Sequence, residues 1–351
     1  MEEKNIKISS GQMYVLLILA RIMHTMIFHA KEFKIGTPVM LALVFTTIIE
    51  SVMSIPLILL LKDGGCDPVS IIAGNGRLAV FVRFLYSAYF LFISAGTLMY
   101  FAQFMKAEFN KTATPMAVII VLTLAAAYCA YLGIEGTARA GTIVLWAFMV
   151  LFVVMAAVSE GEFERLNLLP VTLKDTDKIL DYAVRDLSSS WWLPMLASMG
   201  AYLKNGVGKT VGGYLISKFL ILETLMLLVT LVLWNFVGVL GYPMLALGAY
   251  AKTVFIQRFD AINMFVWCLN CVIVNGTYLF ISAQSFGESR RKIGVAASSA
   301  VAAIGVVVIF LMNLGLNDGV AFVIKLSGIV LLGVIVPLAA VIVKKKRANR
   351  E

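Results

Sequence analysis

Long apolar runs separated by short polar connections make up almost the whole chain. A bilayer core about 30 Å thick is crossed by a helix of roughly 20 apolar residues. Most of the runs approach or exceed that length, so the pattern predicts an all-α polytopic membrane protein with about ten transmembrane helices. The predicted spans lie near residues 11–30, 39–61, 78–105, 115–133, 141–158, 191–203, 212–238, 261–285, 294–312 and 320–343.

The predicted spans divide into two groups of five, and each group opens with a short or interrupted span. The first span contains Arg21 and His24, and the sixth contains Pro194 and Gly200. In transporters built from inverted repeats, the helices that open the two halves are discontinuous and line a site at mid-membrane. We therefore predict a five-plus-five inverted repeat, with ordinary bundle helices as the alternative.

The chain is predicted to form one transmembrane domain with both termini in the cytoplasm. Basic residues cluster in the even-numbered connections and in the tail, and the positive-inside rule assigns such segments to the cytoplasmic side. The connection after the fifth span begins with acidic residues and is predicted to be external. The parts are repeat one near 9–158, the external loop near 159–190, repeat two near 191–343 and the basic tail at 344–351.

Composition supports a membrane protein and narrows its partners. Of the 351 residues, 61% are hydrophobic and 14% are charged, and the mean hydropathy is +0.93, unlike any soluble globular domain. The net charge of +9 comes mostly from basic residues between the apolar runs and in the tail, so we expect a lipid bilayer and no nucleic acid as partner. Metal-ligand and nucleophile-base spacings are missing, so we expect no metal, no cofactor and no enzymatic activity.

Ionisable residues inside the predicted spans are candidate functional charges, because each costs about 2.5–3.5 kcal/mol at a helix centre. They are Arg21, Glu50, Arg83, Lys218, Glu223 and Lys325. Arg21 and Glu50 lie at similar depth on consecutive antiparallel helices, so we predict that they pair. The pair could fix helix packing or form the wall or gate of a site. Glu223 occupies the position in the seventh span that Glu50 occupies in the second.

Several short segments, taken together and in this order, carry a resemblance to a known family. They are residues 8–12 (ISSGQ), 131–139 (YLGIEGTAR), 166–171 (LNLLPV) and 258–260 (RFD), followed by the basic tail. The set resembles the permease-like B subunits of bacterial spore nutrient-germinant receptors, within the amino acid, polyamine and organocation transporter superfamily. Glu135, Arg139, Arg258 and Asp260 of these segments are further candidates for structural or gating charges.

The resemblance implies a fold similar to that of the bacterial leucine transporter, with the ligand held between the first, third, sixth and eighth spans. It implies a subunit that senses a small nutrient germinant, such as an amino acid, together with a second membrane subunit and a lipoprotein subunit. The implied location is the inner spore membrane or the cytoplasmic membrane of a spore-forming bacterium. A secondary active transporter of amino acids or other small organic ions is the alternative.

Candidate ligand contacts lie on the first and sixth spans and on polar positions of the spans beside them. They are Ala20, Arg21, His24, Thr25, Tyr86, Leu196, Ser198 and Asn270. The relatives usually carry small residues where this chain has Arg21, so its guanidinium either holds a carboxylate or fills the pocket. A cationic Arg21 favours an anionic or carboxylate-bearing ligand unless Glu50 neutralises it.

Overall fold

The structure, a computed structural model, is built from α-helices. It describes residues 7–26, 37–74, 76–108, 114–168, 176–234, 236–237, 240–250, 259–287, 290–311 and 318–349. Within this part of the chain, β-structure is limited to an isolated parallel bridge between Ile8 and Leu203. The helices are α1 (Ser10–Met26), α2 (Thr37–Met53), α3 (Ile55–Leu61), α4 (Pro68–Ala73), α5 (Arg77–Glu108), α6 (Pro115–Leu132), α7 (Ile134–Val158), α8 (Thr176–Leu187), α9 (Trp192–Met199), α10 (Val207–Leu233), α11 (Pro243–Tyr250), α12 (Phe259–Ala283), α13 (Arg291–Leu311), α14 (Asp318–Gly328) and α15 (Val336–Ala348).

Eight helical segments of the described chain are long and apolar enough to cross a membrane, which establishes an all-helical polytopic membrane protein. They are Pro38–Leu61, Arg77–Glu108, Pro115–Leu132, Ile134–Gly161, Val207–Leu233, Ala261–Phe286, Arg291–Ile309 and Gly319–Ala348. These segments correspond to predicted spans two to five and seven to ten. The first of them contains both α2 and α3, which meet at Ser54 just before Pro56, a residue that cannot donate a backbone hydrogen bond.

The first predicted span is α1, a continuous helix of 17 residues. We expected Arg21 and His24 to interrupt this span, and that expectation is wrong for the described helix. Arg21 forms an ion pair with Asp186, so its charge is balanced without unwinding of the backbone. The hydroxyl of Thr25 donates to the carbonyl of Arg21 at 3.2 Å, one helical turn earlier.

The sixth predicted span contains α9. It is preceded by another helix, α8, that the hydropathy pattern did not indicate. Ile179 and Ala183 of α8 pack against Ala42 near the start of α2. Just after α8, Ser190 donates a hydrogen bond to Glu50 near the end of α2. The chain from α8 to residue 190 therefore runs in the same direction as α2 and beside it, although the sequence analysis assigned these residues to a connecting loop.

A short break separates α8 from α9. Residues 188–191 are not helical, and the three consecutive serines at 188–190 are buried. After α9 and a 3₁₀ turn (Gly200–Tyr202), the backbone meets the start of the chain, where Ile8 donates to the carbonyl of Tyr202 at 2.8 Å and Lys204 donates to the carbonyl of Ile8 at 3.0 Å. Residues 176–203, here called the broken crossing after the sixth span predicted at 191–203, therefore form one helix–break–helix segment that begins beside α2 and ends beside the start of α1.

The centre of the bundle is α12, which packs against α1, α5, α6, α7 and α13. Its close approach to α6 depends on Gly276, because a Cβ atom at this position would lie 2.8 Å from the Cβ of Cys129 and 3.1 Å from the carbonyl oxygen of Ala126. Large side chains on the outside of the bundle, such as Trp146 and Leu124, are more than half exposed. Such side chains suit contact with lipid.

The helix of the last span changes from α-helix to π-helix and back near its middle. Between α14 and α15, residues Ile329–Ile335 form a π-helix, in which the amide of Val336 donates to the carbonyl of Leu331. Pro337 follows directly, and its missing N–H and bulky ring prevent a normal α-helical bond to the carbonyl of Gly333. The wider turn packs against α9, and the hydroxyl of Tyr86 on α5 donates to the carbonyl of Leu332 at 2.6 Å.

Candidate functional site

Four charged side chains form a buried network where α1, α2, α10 and the broken crossing meet. The ammonium of Lys218 lies 2.9 Å from Glu50 Oε1 and 2.9 Å from Asp186 Oδ2. Arg21 Nη2 pairs with the other carboxylate oxygen of Asp186. The side chains of Lys218 and Glu50 are each only 1% exposed. The network therefore joins two cations and two anions from four segments of the chain.

The charges are tolerated in the interior because each contacts an opposite charge. Removing ions from water carries a large desolvation penalty, which geometry and additional hydrogen bonds must offset. Ser190, in the break after α8, supplies one such bond to Glu50 Oε1. Asp186 contacts both cations, because Oδ1 pairs with Arg21 and Oδ2 pairs with Lys218.

The prediction that Arg21 and Glu50 pair directly is wrong. Each of the two residues pairs with a different partner. Asp186 binds Arg21, Lys218 binds Glu50, and the contact between Asp186 and Lys218 links the two pairs. Lys218 was among the predicted intramembrane charges, but Asp186 was missed. A signal was present in the sequence, because Ile179, Ala183 and Asp186 lie at the i, i+4, i+7 spacing of one helix face.

The network retains polar groups without hydrogen-bond partners in the described residues. These are the Nε and Nη1 atoms of Arg21 and the Oε2 atom of Glu50, all of them buried. An unpaired buried polar atom is costly, and such atoms in a native protein call for a structural or functional explanation. Two donors on a cation and one acceptor on an anion are available to a ligand that reaches the network.

A small cavity, here called the central cavity, lies one helical turn from Arg21. Its volume is about 30 Å³. It is lined by His24 of α1, Phe92, Ile93, Gly96, Thr97 and Tyr100 of α5, Trp191 of the break, and Ala321 and Lys325 of α14. The rings of His24 and Trp191 meet edge to face at 4.8 Å between centroids. Predicted site residue His24 thus reaches a cavity beside the broken crossing.

A second and larger cavity, here called the vestibule, opens near the bridge between Ile8 and Leu203. Its volume is about 270 Å³. It is lined by Asp67, Val69, Arg83, Tyr86, Ser198, Ala201, Tyr202, Ile281, Gln284, Gly287 and Arg291. Tyr86 and Ser198, both predicted ligand contacts, line this cavity and not the one beside His24.

An aromatic layer lies between these two cavities. Trp191 Nε1 donates to the hydroxyl of Tyr278 at 2.7 Å. The ring of Tyr278 packs against that of Phe90 with 5.6 Å between centroids. Phe90 lies on α5 between Tyr86, which lines the vestibule, and Ile93, which lines the central cavity. The predicted ligand contacts therefore fall on both sides of this layer.

A comparison with protein-family models decides what kind of membrane protein this is. The model described as spore germination protein matches residues 7–318, which is most of the chain. The chain belongs to this spore germination permease family. The resemblance found in the sequence is thereby confirmed, and the family is permease-like and not a known enzyme family. The comparison with curated proteins gave no significant match.

Other predicted contacts of this germination protein pack inside the bundle. Ala20 and Leu196 are fully buried. Asn270 on α12 donates from Nδ2 to the carbonyl of Leu19 at 3.3 Å, while its Oδ1 atom has no partner in the described residues. Asn270 therefore ties the central helix to α1, one turn from the charged network.

Three of the remaining predicted charges have described side chains, and these are not members of the network. Glu223 is half-buried on α10. Glu135 and Arg139 form an exposed pair at 2.6 Å on the first turns of α7. Arg258 lies outside the described residues, and Asp260 is described as part of α12 without its side chain. In the described part of the chain, no group of His, Cys, Asp and Glu side chains could hold a metal ion.

Proposed function

We propose that this germination protein is the transporter-like subunit of a spore germinant receptor and senses a small nutrient such as an amino acid. The family match supports a membrane protein of germination. The observation that carries the sensing role is the buried network at the break between α8 and α9, beside the central cavity. Arg21 has donors suited to a carboxylate, and Glu50 has an acceptor suited to an ammonium group.

The size of the central cavity makes ligand binding dependent on movement. A volume of about 30 Å³ is far below the roughly 300–1,000 Å³ of pockets that hold drug-sized ligands. An amino acid is larger, so it enters only if α1, α14 or the break residues shift. A ligand that binds the shifted arrangement more tightly increases the population of that arrangement. Such a shift, passed to partner subunits, is a physical basis for sensing.

The fold proposed for this function has ten crossings in a five-plus-five inverted repeat, like the bacterial leucine transporter. The eight long spans support it, together with α1 and the broken crossing at residues 176–203. Those two segments open the two halves and meet at the bridge between Ile8 and Leu203. In this proposal repeat one covers about 9–158, the connection about 159–190 and repeat two about 191–343.

Family membership supports a role in a germinant receptor. We propose that a second membrane subunit and a lipoprotein subunit assemble with this chain, in the inner spore membrane or the cytoplasmic membrane. The basic end of α15 supports a cytoplasmic C-terminus, because Lys344, Lys345, Lys346 and Arg347 follow directly after an apolar span. No nucleic acid, metal or cofactor is part of this proposal.

A secondary transporter of amino acids is the competing function, and one pair of experiments separates it from sensing. Spores whose germination depends on this chain are exposed to a panel of amino acids, and the purified chain alone is tested for uptake of the same compounds into proteoliposomes. A germination response without concentrative uptake supports the sensor. Robust uptake by the chain alone identifies a carrier, and the absence of any response in spores contradicts the sensing role.

A further inference from the structure

The charges of the buried network form a row in which the two middle residues also contact each other. The row runs in the order Arg21, Asp186, Lys218 and Glu50. In the middle, Lys218 Nζ lies 2.9 Å from Asp186 Oδ2. The middle pair therefore offers a carboxylate to the guanidinium at one end of the row and an ammonium to the carboxylate at the other end.

This middle pair has the same two charged groups as a free amino acid. Near neutral pH an α-amino acid carries a carboxylate and an ammonium group, and both are attached to one carbon atom. In the proposed function, Arg21 receives the carboxylate of the nutrient and Glu50 receives its ammonium. Each of these two residues already holds a group of that kind and charge, supplied by Asp186 and by Lys218.

The unused hydrogen-bonding capacity of the row lies at its two ends. Both described hydrogen bonds of Glu50 side-chain oxygens, from Lys218 and Ser190, go to Oε1, whereas the buried Oε2 has no partner in the described residues. Arg21 has Nε and Nη1 in the same condition. Asp186, by contrast, has a partner on each carboxylate oxygen. The ends of the row can therefore accept a further ligand, and the middle pair is what that ligand replaces.

The middle pair joins parts of the chain that a change of partner would affect. Asp186 lies one residue before the end of α8, directly ahead of the break, and Lys218 lies within α10. The ion pair to Arg21 ties the end of α8 to α1. Loss of this ion pair therefore releases the helix that leads into the break.

We propose that Lys218 and Asp186 act as an internal pseudo-ligand, which occupies Arg21 and Glu50 until an α-amino acid displaces it. This inference rests on the proposed function and adds its regulation. Because the pair competes with the nutrient, the apparent affinity for the nutrient falls in proportion to the fraction of the protein in which the pair is released. The ligand must carry both charged groups, since a carboxylate or an amine alone replaces only one half of the pair.

Glycine is the probe, because it carries the two charged groups and no side chain. Binding is measured from the saturable rise in unfolding temperature of the full chain in phosphatidylcholine nanodiscs. Asp186→Ala combined with Lys218→Ala removes the pseudo-ligand and leaves the net charge unchanged. We expect this double variant to bind glycine with an apparent Kd at least tenfold lower than that of the wild-type chain. Sodium acetate or methylammonium chloride alone should not reproduce this stabilisation.

Asp181→Ala combined with Arg185→Ala is the matched control. It removes one charge of each sign from an exposed ion pair of 3.0 Å on α8, the helix that also carries Asp186. The control should bind glycine within twofold of the wild-type chain, and it also measures any general effect of the solute on stability. An equal Kd in the wild-type chain and the Asp186/Lys218 variant, or no saturable effect of glycine on that variant, overturns the proposal. Equal stabilisation of that variant by acetate alone also overturns it.

A second variant covers the case in which the alanine variant does not fold. Asp186→Asn combined with Lys218→Gln removes the same charges and nearly preserves the size of both side chains, and the same tenfold criterion applies to it. The spore assay of the proposed function uses the wild-type chain, so the two failures are distinguishable. Germination by amino acids without a gain in glycine affinity contradicts the pseudo-ligand. A gain in affinity without any response of wild-type spores contradicts the sensing role.

Discussion

At the scale of single residues, the interior of this protein is defined by charges that lie far from one another in sequence. Arg21, Glu50 and Lys218 could be recognised in the sequence, since a charge in a long apolar run is costly and rarely accidental. Their pairing could not, because it depends on Asp186, which follows a polar stretch that resembles a loop. Arg21 and Glu50 both belong to the network, yet similar depth along two helices does not specify which side chains face each other.

Neutralising Lys218 should destabilise the protein strongly. Lys218→Met leaves Glu50 and Asp186 as buried carboxylates without their shared cation, and breaking a buried pair costs about 3–5 kcal/mol. The free energy of unfolding of the purified chain in detergent is the measurement. Glu50→Gln combined with Lys218→Met should cost less than the sum of the two single changes.

An exposed ion pair provides the control for this cycle. Arg139→Gln removes the partner of Glu135, whose side chain is 44% exposed, and it should cost less than about 0.5 kcal/mol. The cycle between Arg21 and Glu50, which do not contact each other directly, should show a weaker coupling than the cycle between Lys218 and Glu50. Strict additivity of Lys218→Met and Glu50→Gln would refute the network.

At the scale of elements, the broken crossing and the π-helix were the features that hydropathy described least well. The apolar run around α9 was found, but α8 was not, since Asp177, Asp181 and Arg185 give it a polar, exposed face. The π-helix has a cause in the sequence, namely Pro337 inside a long apolar run. A proline predicts a local disturbance, but whether the helix kinks or widens depends on partners such as Tyr86.

Packing between the π-helix and α9 should depend on Gly333. A Cβ atom there would lie 2.8 Å from Leu193 Cβ and 2.9 Å from Pro194 Cδ. We expect Gly333→Ala to destabilise the protein by about 1–3 kcal/mol through overpacking, despite the better helix propensity of alanine. Gly305→Ala on α13 is the matched control, because a Cβ atom there meets nothing within 4 Å. Equal unfolding temperatures for the two variants would show that α9 and the π-helix are not closely packed.

At the scale of the whole molecule, hydropathy and the family resemblance together predicted an all-helical polytopic membrane protein. Apolar length predicted the eight long spans, because a bilayer imposes nearly the same requirement on every crossing. The positions of the ligand contacts were harder to predict. Sequence reasoning grouped His24, Tyr86 and Ser198 in one pocket, whereas the fold places them on opposite sides of an aromatic layer.

The proposed orientation can be tested by labelling with a membrane-impermeant maleimide, in a background with the four native cysteines replaced by alanine. Asp177→Cys, on the exposed start of α8, should be labelled from outside intact cells. Lys209→Cys, on the exposed start of α10, should react only after permeabilisation. The reverse pattern would invert the topology.

The central proposal is that the nutrient binds at the central cavity, between α1, α5, α14 and the break that follows α8. Gly96→Val tests it most directly, because Gly96 lines the central cavity and a Cβ atom there meets nothing within 4 Å. Gly305→Val introduces the same β-branched side chain elsewhere. In spores with equal amounts of each protein, we predict that Gly96→Val raises the half-maximal germinant concentration at least tenfold, and that Gly305→Val leaves it unchanged. An unaltered dose-response curve for Gly96→Val would contradict the account.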